Sequence, residues 1–245
     1  MTLWEILKAL KLGCSDDLFA RLTAERLNGG RMPRNTIAIQ HGAGTFKATA
    51  EGKNVVWQYG SQEIHGNTCE FTIAVDSAQI LVSFNGMLTK FENKSDAQTL
   101  LDLSDLGGKI TYLLSLSGCK NVTGSLSDLG GKVTYYLNLY GCAKITGSLS
   151  DLGGKITYWL NLGGCRNVTG VYSGNSYPTS VNLSNTGLTA ADMDQTLINF
   201  NTGATSAGTF TARSMTRTAA SDDAVTGLIS RGWTVTGLTK SEESV

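Results

Sequence analysis

Only two histidines, His41 and His65, are available to activate a nucleophile or to act as a base near neutral pH. A Ser-His-Asp or Cys-His pair would need the fold to bring one of them to its partner, and neither adjoins a cysteine in sequence. His41-Gly-Ala-Gly44 has the make-up of a loop that offers backbone N–H groups to an oxyanion, but no GxSxG turn accompanies it, so a turn between strands is the plainer reading. The five cysteines include no CxxC pair, which leaves no spacing suited to zinc. An odd number, three of them at a fixed interval, is also not a disulfide framework, and reduced thiols are expected. Asp105, Asp128 and Asp151 recur at a fixed interval as a calcium ladder would, yet each sits in a Ser-Asp-Leu-Gly-Gly turn, where side-chain to backbone bonds account for it. The sequons at Asn121, Asn167 and Asn182 matter only in a secretory pathway, which the N-terminus does not suggest. No catalytic residue, metal or cofactor is expected.

The elements carrying these residues repeat. LSDLGGK occurs at Leu103–Lys109, Leu126–Lys132 and Leu149–Lys155, a period of 23 residues. Each copy leads into a strand-like run, ITYLLSLSGC, VTYYLNLYGC or ITYWLNLGGC, ending at Cys119, Cys142 and Cys165. A hydrophobic-Thr-Gly close follows at Val122-Thr123-Gly124, Ile145-Thr146-Gly147 and Val168-Thr169-Gly170. One unit of this length cannot bury its apolar face alone, whereas stacked units share a core and need caps at the ends.

The spacing Leu114-x-Leu116-x-x-Cys119, repeated at Leu137, Leu139, Cys142 and at Leu160, Leu162, Cys165, resembles the leucine-rich repeat. The resemblance implies a parallel strand per unit, with the leucines inward and the cysteines in an internal column as small buried hydrophobes. One departure stands out: Ile110, Val133 and Ile156 lie four positions before the first leucine, where the family pattern has three.

Flanking segments complete the expected organisation. Leu3–Leu10 and Ser15–Leu27 read as two amphipathic helices, giving an N-terminal helical anchor over 1–30. The runs TIAIQ, TFKATA, NVVWQY, EFTIAV and QILVSF, divided by Gly, Asn and Asp, predict a small antiparallel β module over 31–98 that caps the repeats of 99–170. In 171–245 the pattern continues as longer strand-helix units. These comprise a strand near Val181 and Leu183, a helix from Thr189 with Asp192 as capping partner, a strand at Thr209–Ala212, a helix with Ser221 as N-cap and a closing strand at Trp233–Gly237. The fold class expected is a mixed α/β repeat solenoid with parallel strands, N-terminal helices and a small antiparallel β module.

The side chains alternating with the leucines define the expected contact surface. They are Leu113, Tyr136 and Trp159 in one column, Ser115, Asn138 and Asn161 in the next, and Ser117, Tyr140 and Gly163 in a third. Tyr and Trp give rigid area and Asn gives hydrogen bonds, so Leu113, Ser115, Tyr136, Asn138, Tyr140, Trp159 and Asn161 are the candidate ligand-binding residues. The alternative is that the aromatic column only braces neighbouring strands.

A formal net charge of zero and a charged fraction of 16% provide no overall basic field, so nucleic acid is not an expected partner. No run reaches the roughly 20 apolar residues of a membrane span. MTLWEILKALKLG followed by strands and repeats resembles the start of tail-associated or structural proteins of phages and prophages of gut bacteria, a resemblance confined to about the first 30 residues. It implies a non-enzymatic virion component made in the bacterial cytoplasm. Its N-terminal helices would hold other virion proteins, its repeats would contact a protein or glycan on the host surface, and it could assemble as a homo-oligomer. The alternative is a bacterial protein-interaction or adhesion module in the cytoplasm or at the cell surface.

Overall fold

A computed structural model describes residues 35–93 and 98–241. The two expected N-terminal helices lie outside the described residues. Five strands open the described chain: β1 (Asn35–His41), β2 (Gly44–Tyr59), β3 (Gln62–His65), β4 (Thr68–Ile73) and β5 (Ala78–Asn93). TFKATA and NVVWQY, expected as separate strands, are the two arms of β2. Its pairing with β5 is irregular between Glu51 and Val56, where Asn54 adopts a φ of 53°. β2 is antiparallel to β3, β4 and β5, and β1 is antiparallel to β5. Their inward faces enclose a ring cluster, with Trp57 between Phe46 (6.3 Å) and Phe91 (6.4 Å).

β5 joins this antiparallel part to the repeats, because its C-terminal half runs parallel to β7 (Ile110–Ser115). Then follow β9 (Tyr136–Asn138), β11 (Trp159–Asn161), β13 (Ser180–Asn182), β14 (Thr209–Arg217) and β15 (Thr234–Lys240), each parallel to its neighbour. The register aligns Leu114, Leu137, Leu160, Val181, Phe210 and Val235. The first three leucines are wholly buried, since stacked rungs supply the apolar partner that one unit lacks. β6 (Thr99–Asp102) and β8 (Asn121–Thr123) extend the same sheet beyond β1, and β10 (Thr146–Ser148) pairs with β12 (Asn167–Thr169) in a second, two-stranded sheet.

This arrangement overturns the expected mixed α/β solenoid with a separate cap. The described residues are mostly β, 46% strand against 19% helix, and a single mixed sheet of 13 strands runs through both parts. The reason lies in the LSDLGG segments. They make only one turn each, as α1 (Leu103–Leu106) and as 3-10 turns at Leu126–Leu129 and Leu149–Leu152. Two consecutive left-handed glycines stop each of the latter turns, Gly130 and Gly131 (φ 59° and 56°) and Gly153 and Gly154 (64° and 53°), a conformation that costs glycine little. Among the described residues, helices of more than one turn form only in the longer C-terminal units, as α2 (Ala190–Gly203) and α3 (Asp222–Ser230). Thr189 and Asp192 cap α2 reciprocally, as expected. Ser221 precedes α3 but makes no side-chain cap, because its hydroxyl donates instead to the buried Asp194 carboxylate (2.6 Å).

The invariant residues of the repeats are held inside this scaffold. Ser125 N–H donates to Asp128 Oδ2 (2.7 Å) and Ser148 N–H to Asp151 Oδ2 (2.8 Å), closing capping boxes. The Thr-Gly close fits onto them: a Cβ at Gly147 (φ 105°) would lie 2.7 Å from Ser125 Oγ and 2.8 Å from Leu126 N. The cysteine column is buried, with Cys142 Sγ–H donating to Leu116 O (3.2 Å) and Cys165 Sγ–H to Leu139 O (3.1 Å), so each thiol ties one unit to the one before it. Burial pushes the Cys165 thiol up to about 12 and that of Cys142 up as well, in the latter with help from Cys165 and Cys119.

Candidate binding face on the parallel sheet

The outward side of β7, β9 and β11 gathers the aromatic and amide residues. Leu113, Tyr136 and Trp159 are register partners, and the rings of Tyr136 and Trp159 stack at 5.9 Å and 12°. All three are half-buried, as is Asn138, while Tyr140 is 52% exposed. Ser115 and Asn161 occupy the expected column but lie at 7% and 9% exposure, so they support the face more than they present themselves on it. Gly163 makes room for its neighbours, since a Cβ there would come within 3.0 Å of the Tyr140 ring and 2.8 Å of Asn182 Nδ2.

A second aromatic column, not anticipated among the contact residues, runs beside the first. Tyr112 and Tyr135 stack at 4.5 Å and 3°, and Tyr135 and Tyr158 at 4.9 Å and 12°. Tyr112 and Tyr158 are 47% and 44% exposed. Strict alternation would turn a residue adjacent to Leu113, Tyr136 or Trp159 inward. The extra residue of each repeat removes that constraint: between Leu88 and Lys90 of β5 there is one residue, but between their partners Ile110 and Leu113 there are two. In β7 this is a bulge against β5, while in the next two repeats Tyr135 and Tyr158 stand just before β9 and β11, outside the regular strands, with Tyr158 N–H and Trp159 N–H both donating to Tyr135 O (3.1 Å each). The extra residue brings two consecutive side chains to the surface. The four-residue spacing from Ile110, Val133 and Ile156 to the leucines, together with the Thr-Tyr pair common to all three repeats, is the sequence signal for it. Thr134 and Thr157 fix the step, their hydroxyls donating to Thr111 O (3.0 Å) and Thr134 O (3.1 Å). The phenol of Tyr135 is pushed above its usual range by desolvation and then by its neighbours Tyr112 and Tyr158.

The amide column has a divided role. Asn138, Asn161 and Asn182 each accept, through Oδ1, the backbone N–H two residues on, from Tyr140 (3.1 Å), Gly163 (3.2 Å) and Ser184 (3.0 Å). Those bonds shape the turn that ends each strand, and on Asn138 the amide Nδ2 donates to the Tyr136 hydroxyl (3.3 Å). The buried indole N–H of Trp159 has no acceptor, a deficit of about 1–3 kcal/mol that the fold leaves standing on this face.

The other chemically capable residues are dispersed. His41 is buried in β1, its Nδ1–H donating to Gly42 O (2.7 Å), and His41-Gly-Ala-Gly44 is the turn into β2. His65 ends β3, exposed and paired with Glu63 at 2.5 Å. Asp128 and Asp151 serve as caps, and Asp102 is held below the usual carboxylate range by bonds from Ser104 and then Thr123. Among the described residues no group of three His, Cys, Asp or Glu side chains could hold a metal, and no helix is long and apolar enough to cross a membrane. Against known protein families, curated proteins and solved structures, the chain has no match.

Proposed function

We propose that this chain is a non-enzymatic binding protein whose contact surface is the outward side of β7, β9 and β11, directed at a protein or glycan displayed on a surface. The observation that carries the proposal is the double column, in which Tyr112, Tyr135 and Tyr158 stand beside Leu113, Tyr136 and Trp159. Strand bracing accounts for one stacked column. A second one, brought to the surface by an extra residue in every unit, adds rigid ring edges and phenol hydroxyls beside the half-buried Asn138 amide, the chemistry of a recognition surface. Within the proposal, a phage or prophage particle displaying this face to its host rests on the resemblance of residues 1–30 alone.

The test is a screen of the purified chain against glycan arrays and bacterial surface extracts, repeated with Tyr136→Ala, Asn138→Ala and Trp159→Ala combined. The expected outcome is lost binding with a melting temperature close to that of the parent. A large fall in thermal stability with binding retained by the folded fraction would assign the rings to bracing instead.

A further inference from the structure

The net charge of zero conceals a segregation that only the fold makes visible. From β7 onward, every segment that forms the outward face or its C-terminal border lacks Asp and Glu: Ile110–Thr123, Val133–Thr146, Ile156–Thr169, Ser180–Leu188 and Thr209–Thr216; on the preceding strand β5 the carboxylate beside Ser115, Glu92, is paired with Lys90 (3.5 Å). Of the aspartates of the repeats, Asp105, Asp128 and Asp151 lie in the LSDLGGK corners, where Asp128 and Asp151 are engaged by Ser125 and Ser148, and Asp102, just before the first corner, is engaged by Ser104 and Thr123. The cations of the face are Lys120, Lys144, Arg166 and Arg213, all exposed. None of the four makes an ion pair with a carboxylate among the described residues, in contrast to Arg217 and Lys240, which share Asp222.

Backbone bonds place the first three in single file. Gly118 N–H donates to Tyr140 O, Gly141 N–H to Gly163 O and Gly164 N–H to Ser184 O (2.8 Å each), so the turns carrying Lys120, Lys144 and Arg166 stack one unit apart. Lys144 Nζ reaches across to Asn121 Oδ1 (2.7 Å), in the turn of Lys120. Asn185 N–H donates to Arg213 O (3.1 Å), which puts Arg213 at the far end of the column that holds Tyr140 and Gly163. Adjacent rungs are roughly 5 Å apart, about the length of one sugar residue in an extended chain.

From this layout we infer that the ligand of the face is an anionic polysaccharide, a uronate-bearing chain lying across the strands with its carboxylates along Lys120, Lys144 and Arg166 and its hydroxyls over the amide and tyrosine columns. This rests on the binding reading above and specifies its ligand. Mutual stacking closes the inner ring faces of the tyrosine ladder, which leaves the bases of a nucleic acid only its two end faces to stack on. The columns that remain present hydroxyls and amide N–H groups, which match sugar hydroxyls better than the apolar anchor that a protein partner inserts at the centre of an interface.

The experiment is native affinity electrophoresis of the full chain in gels containing polygalacturonate, neutral dextran or single-stranded oligothymidylate, at low and at physiological salt. Two charge variants accompany it: Lys120→Gln with Lys144→Gln and Arg166→Gln on the face, and Lys132→Gln with Lys155→Gln on the opposite corner, with circular dichroism to confirm folding. We expect retardation by polygalacturonate alone, weakened by salt, and reduced about tenfold by the face variant but not by the corner variant. Equal retardation by dextran, equal loss in both variants, retardation by oligothymidylate without polygalacturonate, or none in any gel would each overturn the inference. The binding reading fails separately, if the Tyr136, Asn138 and Trp159 replacement leaves binding to surface extracts unchanged.

Discussion

In the antiparallel part of the sheet the aromatic side chains are inside: Phe46, Trp57, Phe71 and Phe91 are all at most 1% exposed. In the 23-residue units the interior holds Leu, Ile, Val and Cys only, and the rings of Tyr112, Tyr135, Tyr136, Tyr158 and Trp159 stand outside. The longer C-terminal units return to the first habit, burying Tyr172, Phe200, Phe210 and Trp233 beneath α2 and α3. The amount of chain between successive strands therefore decides what the interior accommodates. A unit closed by one short turn is too thin for a ring, so an aromatic residue there belongs to the surface, while a unit closed by a 14-residue helix encloses a ring cluster.

Substitutions that separate the two kinds of ring sharpen this contrast. The largest loss is expected for Trp57→Ala, about 3–5 kcal/mol, and for Leu137→Ala in the middle unit, about 2–5 kcal/mol, by chemical denaturation. Because one sheet joins both parts, each should unfold in a single shifted transition, and two resolved transitions would break the account of a continuous sheet. Gly147→Ala comes next, at about 1–3 kcal/mol, since its φ of 105° and the Ser125 hydroxyl both oppose a methyl group. Gly118→Ala, whose Cβ meets nothing within 4 Å, pays only for its φ of 81° and should lose less. Tyr135→Ala is the smallest, about 0.5–1.5 kcal/mol from lost stacking. A loss as large as that of Trp57→Ala would erase the distinction between surface and core rings.

The cysteines supply a pH test of the thin interior. A thiol whose folded pKa is raised to about 12, as at Cys165, is stabilised in its neutral form. Its contribution is complete below the unfolded value of about 8.5 and declines as pH rises from there towards 12. Urea denaturation between pH 8 and pH 10.5 should show stability falling with pH. In the native protein at pH 8, Cys69, Cys119, Cys142 and Cys165 should resist a thiol reagent that labels them rapidly in denaturant.

How far the sequence reveals this molecule varies by segment. The 23-residue period, the inward leucines, the cap of α2 and the start of β14 follow from periodicity and capping chemistry that act within a few residues. The fold class did not, because whether LSDLGG continues as a helix depends on two consecutive left-handed glycines, and whether β5 ends a cap or joins the repeats depends on a strand pairing that no local pattern encodes. At the candidate site, the columns of Tyr136 and Trp159 were readable from alternation. Tyr112, Tyr135 and Tyr158 escaped it because alternation is broken where they stand, by a bulge at Tyr112 and by the late start of β9 and β11 at the other two, although the extra residue was visible as an anomaly of spacing. The amide oxygens of Asn138 and Asn161 were assigned to a ligand, and the turns claim them.

The shared step of the three units makes the face a ruler. Inserting one more copy of the middle unit, 126–148, would lengthen the display by one phenol pair, one amide and one cation while repeating the same unit-to-unit contacts. If the inferred polysaccharide is the ligand, copy number would set the length of polymer held, a property adjustable by duplication or loss of a unit without redesign of any single contact.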